Sequence, residues 1–165
     1  MTKEIRVKLL AVTISLAVII LLILSGPAGA LSLKIEEKDK HPQENDTINL
    51  KLTVDLNNKD NLALNNLSLI LDNNKKNEKV ICIFNASASV ISGCNGMNIS
   101  VLSNNLNYSF GYYSGKGDLV FNVQINLSQS DLEVGNNKLS FVVDTPKKEV
   151  SKKETIDIKK DKPKK

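Results

Sequence analysis

Ile48-Asn49-Leu50-Lys51-Leu52-Thr53-Val54-Asp55-Leu56 alternates apolar and polar residues without a break. Successive side chains of an extended strand point to opposite faces. The stretch therefore reads as a β-strand with one face buried and the other in water. On a helix the same five apolar residues would scatter around the axis and leave no single face to bury.

Working outward, Leu119, Phe121, Val123, Ile125 and Leu127 repeat the pattern. Shorter alternating stretches cover Leu31 to Ile35, Leu67 to Leu71, Met97 to Val101, Tyr108 to Tyr112 and Leu139 to Val143. Val80 to Phe84 is a continuous apolar run, which suits a central strand covered on both faces. Asn57 to Asn61 and Asp72-Asn73-Asn74 read as turns. Ser114-Gly115-Lys116-Gly117-Asp118 reads as a tight hairpin, since glycine supplies positive φ. No stretch after residue 30 carries helical periodicity. Seven or eight strands with one apolar face each call for a second sheet to cover them, so the expected fold class is all-β, a β-sandwich over residues 31–145.

Before this domain, Met1 to Lys8 is short and basic, and Leu9 to Leu24 is apolar apart from Thr13 and Ser15. Gly26 and Pro27 then break the helix, and Ala28-Gly29-Ala30 offers small side chains for a cut after Ala30. Residues 1–30 are therefore expected to be an N-terminal hydrophobic targeting helix, either a cleaved signal peptide or a retained membrane anchor. Both readings leave Lys3, Arg6 and Lys8 in the cytoplasm and carry the rest of the chain outside. The expected localisation is extracellular, secreted or tethered to the outer face of the membrane.

The net charge of +4 hides a division. Residues 31–145 hold 10 Lys and 13 acidic residues, whereas residues 146–165 hold 9 Lys and 4 acidic residues. Arg6 is the sole arginine. A nucleic-acid binder needs a basic folded face, so nucleic acid is excluded as a partner. The Lys-rich stretch of residues 146–165 alternates only at Ile156 and Ile158. It reads as a disordered tail, with an electrostatic tether to an acidic envelope polymer as the functional alternative.

Asn45-Asp46-Thr47-Ile48-Asn49-Leu50, the Asn57-Asn58 turn and Leu132-Glu133-Val134-Gly135-Asn136-Asn137 resemble segments of archaeal and bacterial extracellular immunoglobulin-like modules. The chain from about His41 to Asp144 is similar to the cell-adhesion-related domain of surface proteins. The resemblance implies an immunoglobulin-like β-sandwich used for display, adhesion or spacing. It implies no catalytic residues.

Few side chains suggest chemistry. Cys82 and Cys94 are the only cysteines, and an even pair in an exported chain points to a disulfide. Closing a loop of about 13 residues would stabilise the fold by roughly 3 kcal/mol in the chain-entropy model. Two free thiols are the plain alternative. Two sulfurs with one distant histidine make a poor zinc cage. Six sequons, at Asn45, Asn66, Asn85, Asn98, Asn107 and Asn126, are candidate N-glycosylation sites. His41, the sole histidine, lies in a polar loop and reads as solvated. Asp55, Asp60 and Asp72 sit near strand ends without the spacing of a calcium loop. Tyr108, Phe110 and Tyr112 should share a face that packs into the core, which leaves Tyr113 as the candidate exposed ligand contact. An aromatic sugar platform is the alternative for this arm. The functional expectation is a non-enzymatic surface or adhesion-type module without a cofactor. Its partner would be an envelope or surface protein or a glycan. The alternative is an extracellular carbohydrate-binding module using the Tyr108–Tyr113 arm.

Overall fold

The chain divides into two units, Met1–Ala30 and Leu31–Lys165. The computed structural model describes residues 31–38, 41–57, 61–73, 78–130 and 132–161. The expected targeting helix of residues 1–30, Asp60 and residues 162–165 lie outside the described residues.

The strands in chain order are β1 (Leu31–Glu37), β2 (Thr47–Leu56), β3 (Asn66–Asn73), β4 (Glu78–Phe84), β5 (Val90–Ser92) and β6 (Met97–Asn104). They continue with β7 (Asn107–Ser109), β8 (Tyr112–Ser114), β9 (Gly117–Asn126), β10 (Gly135–Asp144) and β11 (Glu149–Ile158). One sheet has the order β1-β2-β9-β6 and the other β11-β10-β3-β4-β5. All pairings within them are antiparallel. A short hairpin, β7-β8, stands apart.

The alternation of β2 does what its pattern requires. Ile48, Leu50, Leu52, Val54 and Leu56 are all buried. They face one core shared with Leu67, Leu69 and Leu71 of β3 and with Phe141 of β10. Phe84 of one sheet meets Phe121 of the other edge to face, with ring centroids 5.3 Å apart. The two sheets thus pack against each other across side chains that each buries on one face, the arrangement of a β-sandwich.

The largest correction concerns the C-terminal stretch. Residues 149–158 are strand β11, paired along its whole length with β10. A turn at Thr145 makes this hairpin. The Thr145 hydroxyl donates to the Lys148 carbonyl at 2.6 Å, and the Thr145 amide donates to the same carbonyl at 3.2 Å. Ile156 and Ile158 reach the core at 3% and 1% exposure. Val150, Lys152 and Glu154 share their face, so the strand does alternate. Its charges at Lys152 and Glu154 stand exposed and disguise the pattern.

Two further expectations change. The Val80–Phe84 run is covered on one face only: Cys82 and Phe84 are buried, while Ile81 is 44% exposed. The expected turn at Ser114–Asp118 is not the hairpin. The hairpin turns at Phe110-Gly111, both with positive φ (50° and 84°), the backbone that a two-residue loop between twisted strands demands. With β5, the β7-β8 pair and β11 added, the strands among the described residues number eleven and not seven or eight.

Candidate functional site

The β7-β8 hairpin interrupts the connection between β6 and β9, which are neighbours in one sheet. It is anchored through β8 and through its base. Leu62 and Tyr113 exchange backbone hydrogen bonds in both directions at 2.8 Å. Asn105 fastens the base through its side-chain amide, which donates to Asp118 Oδ1 at 2.6 Å. Asn104 Oδ1 accepts from the Leu106 amide at 3.0 Å.

This anchoring inverts the expected faces of the aromatic arm. Tyr113 is buried at 7% exposure, so it is not the exposed contact residue. Tyr108, Phe110 and Tyr112 are exposed at 63%, 97% and 48%. The cause is the turn. A reversal at Phe110-Gly111 sets Tyr108 directly opposite Tyr113, ring centroids 4.8 Å apart and tilted by 44°. Tyr113 is held down by Leu62, and Tyr108 stacks over it from outside. Burial, and next to it Tyr108, push the Tyr113 hydroxyl pKa above the usual 10.0. Phe110 takes a left-handed backbone at the tip, a conformation that non-glycine residues seldom adopt.

The hairpin belongs to a wider uncharged region. No Asp, Glu, Lys, Arg or His occurs from Val80 to Gly115, between Lys79 and Lys116. Among the described residues, every large apolar side chain that is exposed lies in this run. They are Ile81, Val90, Ile91, Val101 and Leu102 on the sandwich, and Tyr108, Phe110 and Tyr112 on the hairpin. A gap in charge of this length is readable in the sequence, and it marks the surface that strand periodicity misses.

The same region holds the disulfide. Cys82 on β4 is joined to Cys94 in the β5–β6 connection. Gly93 lets that connection pass close: at φ +70°, an added Cβ would lie 2.0 Å from the Ile81 carbonyl oxygen.

The sequons scatter over the surface. Asn66, Asn98 and Asn107 are exposed. Asn45 is also exposed, and its amide donates to Asp161. Asn85 Oδ1 accepts from the amides of Ser87 and Ser89, each at 2.9 Å. Asn126 Oδ1 accepts from the Ser128 amide at 3.1 Å and hydroxyl at 2.7 Å.

Ionisable groups do not converge on a reactive centre in the described residues. His41 is exposed and borders a cavity of about 370 Å³ beside Glu37, Glu154 and Asp157. Asp55 pairs with Lys34 at 3.8 Å, and Asp72 with Lys79 at 3.9 Å. Among the described residues no three His, Cys, Asp or Glu side chains group as metal ligands would.

No protein-family model matches the chain. No curated protein is similar to it in sequence. Among solved structures it is similar to Spo0M, a sporulation control protein from Bacillus subtilis, with 12% identity and a TM-score of 0.44 over 79% of this chain and 50% of that one. This chain therefore spans about half the length of that protein. It is also similar to a cohesin module of a Clostridium perfringens family 33 glycoside hydrolase, with 10% identity and a TM-score of 0.40 over 80% and 98%. A third likeness is to the major subunit of aggregative adherence fimbriae type I from Escherichia coli, with 13% identity and a TM-score of 0.34 over 77% and 91%.

Proposed function

We propose that this chain is an exported, non-enzymatic contact module of the cell surface, and that the β7-β8 hairpin makes its contact. The observation that carries this reading is Phe110, an aromatic ring 97% exposed at the tip of a hairpin pinned to a sandwich. Folding does not profit from an apolar ring in water, and exposed aromatics held on a rigid base are the usual anchors of a binding surface. Tyr108 and Tyr112 flank it and add polar tips to apolar bodies. Export is supported by the Cys82–Cys94 disulfide, a bond that persists in oxidising compartments, together with the order of charges and apolar residues in Met1–Ala30. We read the two antiparallel sheets as an immunoglobulin-like sandwich that presents the hairpin.

The test is binding of the exported protein, made from the full chain, to intact host cells and to isolated envelope fractions. Phe110→Ala with Tyr112→Ala should weaken binding at least about tenfold, the loss of one anchor of roughly 1.4 kcal/mol, with melting unchanged. Equal binding by the two proteins would overturn the reading.

A second reading is favoured by the Tyr108–Tyr113 pair, in which the exposed Tyr108 ring leans at 44° over Tyr113 and offers an aromatic face to a sugar ring. Under this reading the module binds carbohydrate. A glycan array then returns defined oligosaccharides whose signal disappears with Tyr108→Ala. A signal confined to cell-surface proteins favours the first reading.

A further inference from the structure

We infer that β6 pairs edge to edge with β6 of a second copy of this chain, joining two four-stranded sheets across a two-fold axis. Among the described residues, the order β1-β2-β9-β6 leaves one side of β6 without a strand. The amide of Asn126 donates to the Gly96 carbonyl at 2.8 Å, which makes Gly96 and Asn126 a hydrogen-bonded pair of the antiparallel ladder. Hydrogen-bonded and non-bonded pairs alternate along such a ladder. The peptide groups of Asn98 and Ser100 therefore face β9, opposite Gln124 and Asn122. Those of Ile99 face the open edge.

The length available is set by a β-bulge. The register shifts between Val101 and Ser103, so the straight part of β6 is Met97–Val101. An antiparallel copy centred on Ile99 places Ile99 against Ile99, Met97 against Val101 and Asn98 against Ser100. The sequence Met97-Asn98-Ile99-Ser100-Val101 has the same chemistry read from either end. Every apolar residue meets an apolar residue on the core side, and every polar residue meets a polar one outside. Ile99 N–H reaches Ile99 C=O in both directions, and Val101 N–H reaches Met97 C=O in both directions.

Charge selects the occupant. A two-fold axis brings each residue of an edge near its own copy, so a charged edge repels itself. The run from Val80 to Gly115 contains no charge to repel, and none to attract a basic or acidic partner. Leu102, 62% exposed, and Val101, 40% exposed, leave apolar surface at the seam for the copy to cover. Five residues of pairing bury less than a stable interface requires, so the dimer is weak and concentration-dependent.

The test is sedimentation of the unglycosylated protein, made from the full chain, across a wide concentration range. The wild type should move from monomer toward dimer mass. Asn98→Lys with Ser100→Lys places like charges opposite each other and should keep the protein monomeric, as should Asn98→Glu with Ser100→Glu. Mixing the lysine and glutamate variants should restore a mass of two chains at lower concentration than the wild type requires. Both positions are exposed, and unchanged melting of each variant verifies its fold. A wild type monomeric throughout would overturn the pairing and leave the edge to a strand from another protein. A dimer that survives in either charged variant would place the contact elsewhere and overturn it too. Neither outcome bears on the hairpin, whose binding is read separately.

Discussion

Along one side of the sandwich the outer strands carry Lys34, Glu36, Lys152, Lys153 and Glu154, and along the other β5 and β6 carry no charge. The first side is also closed by the backbone. Lys159 donates its amide to the Pro42 carbonyl at 2.8 Å, and the Glu44 amide donates to the Lys159 carbonyl at 3.0 Å. The β1–β2 pair adds a Lys51–Glu36 ion pair at 3.2 Å. The second side is stapled by the disulfide and keeps its free strand short in β5 and bulged in β6. Proteins commonly protect strand edges with charge, shortness, bulges or cover. Here one edge has charge and cover, while the other has only geometry. The contrast teaches that charge and exposed apolar surface are separated onto opposite sides of the sandwich.

The closed side should be the more fragile when its core contacts are cut. Ile158 is 1% exposed at the end of β11, and its loss opens a cavity where β11 closes the sandwich. Ile158→Ala should cost about 2–5 kcal/mol in urea unfolding. A cost below about 1 kcal/mol would mean that β11 is an ornament on β10 and that the closed edge is not part of the core.

The open side depends on its covalent staple. Replacing Cys82 and Cys94 together by Ser, or reducing the bond, should lower stability by roughly 3 kcal/mol. Hydrogen exchange should rise first in β5 and in the 93–96 connection, while β10 and β11 keep their protection. Uniform exchange across both sides would erase the comparison.

The two sides also differ in how far their sequences reveal them. Strands β2 and β9 were legible because each carries a long row of apolar residues at every second position, Ile48 to Leu56 and Leu119 to Ile125, with mostly uncharged polar residues between them. Strand β11 was not, because Lys152 and Glu154 occupy the face that Ile156 and Ile158 use for the core. Periodicity alone cannot tell a charged residue at the rim of a shared face from one in a tail. The disulfide was legible from an even pair of cysteines. The aromatic arm was found as a cluster, but its faces came out inverted, because Phe110 takes a positive φ that glycine normally supplies. A turn at Ser114–Asp118 would instead have kept Tyr108 to Tyr113 in one extended strand, with Tyr113 on the face opposite Tyr108, Phe110 and Tyr112.

A charge added to the open side tests whether its apolar surface matters to folding. Leu102→Lys, at a position 62% exposed, should change stability by no more than about 0.5 kcal/mol. It should nevertheless raise solubility, because it supplies the charged edge residue that β6 lacks. A large loss of stability instead would mean that Leu102 is packed for the fold and not left for a partner.

The smallest effect separates the two protections of the closed side. Lys152 and Glu154 pair at 3.1 Å with side chains 45% and 47% exposed. Such a pair is worth at most about 1 kcal/mol, because water screens it and both long side chains lose freedom. Lys152→Thr with Glu154→Thr should therefore leave the urea midpoint nearly unchanged. Threonine also suits a strand, which offsets part of the lost attraction. The informative quantity is the sedimentation coefficient. If the variant, made in a chain whose β6 edge is also blocked by Asn98→Lys and Ser100→Lys, stays monomeric, the backbone closure through Pro42 and Lys159 is what shields β11. If it associates, the charges are the shield, and the uncharged run on the opposite edge has the same physical meaning in reverse.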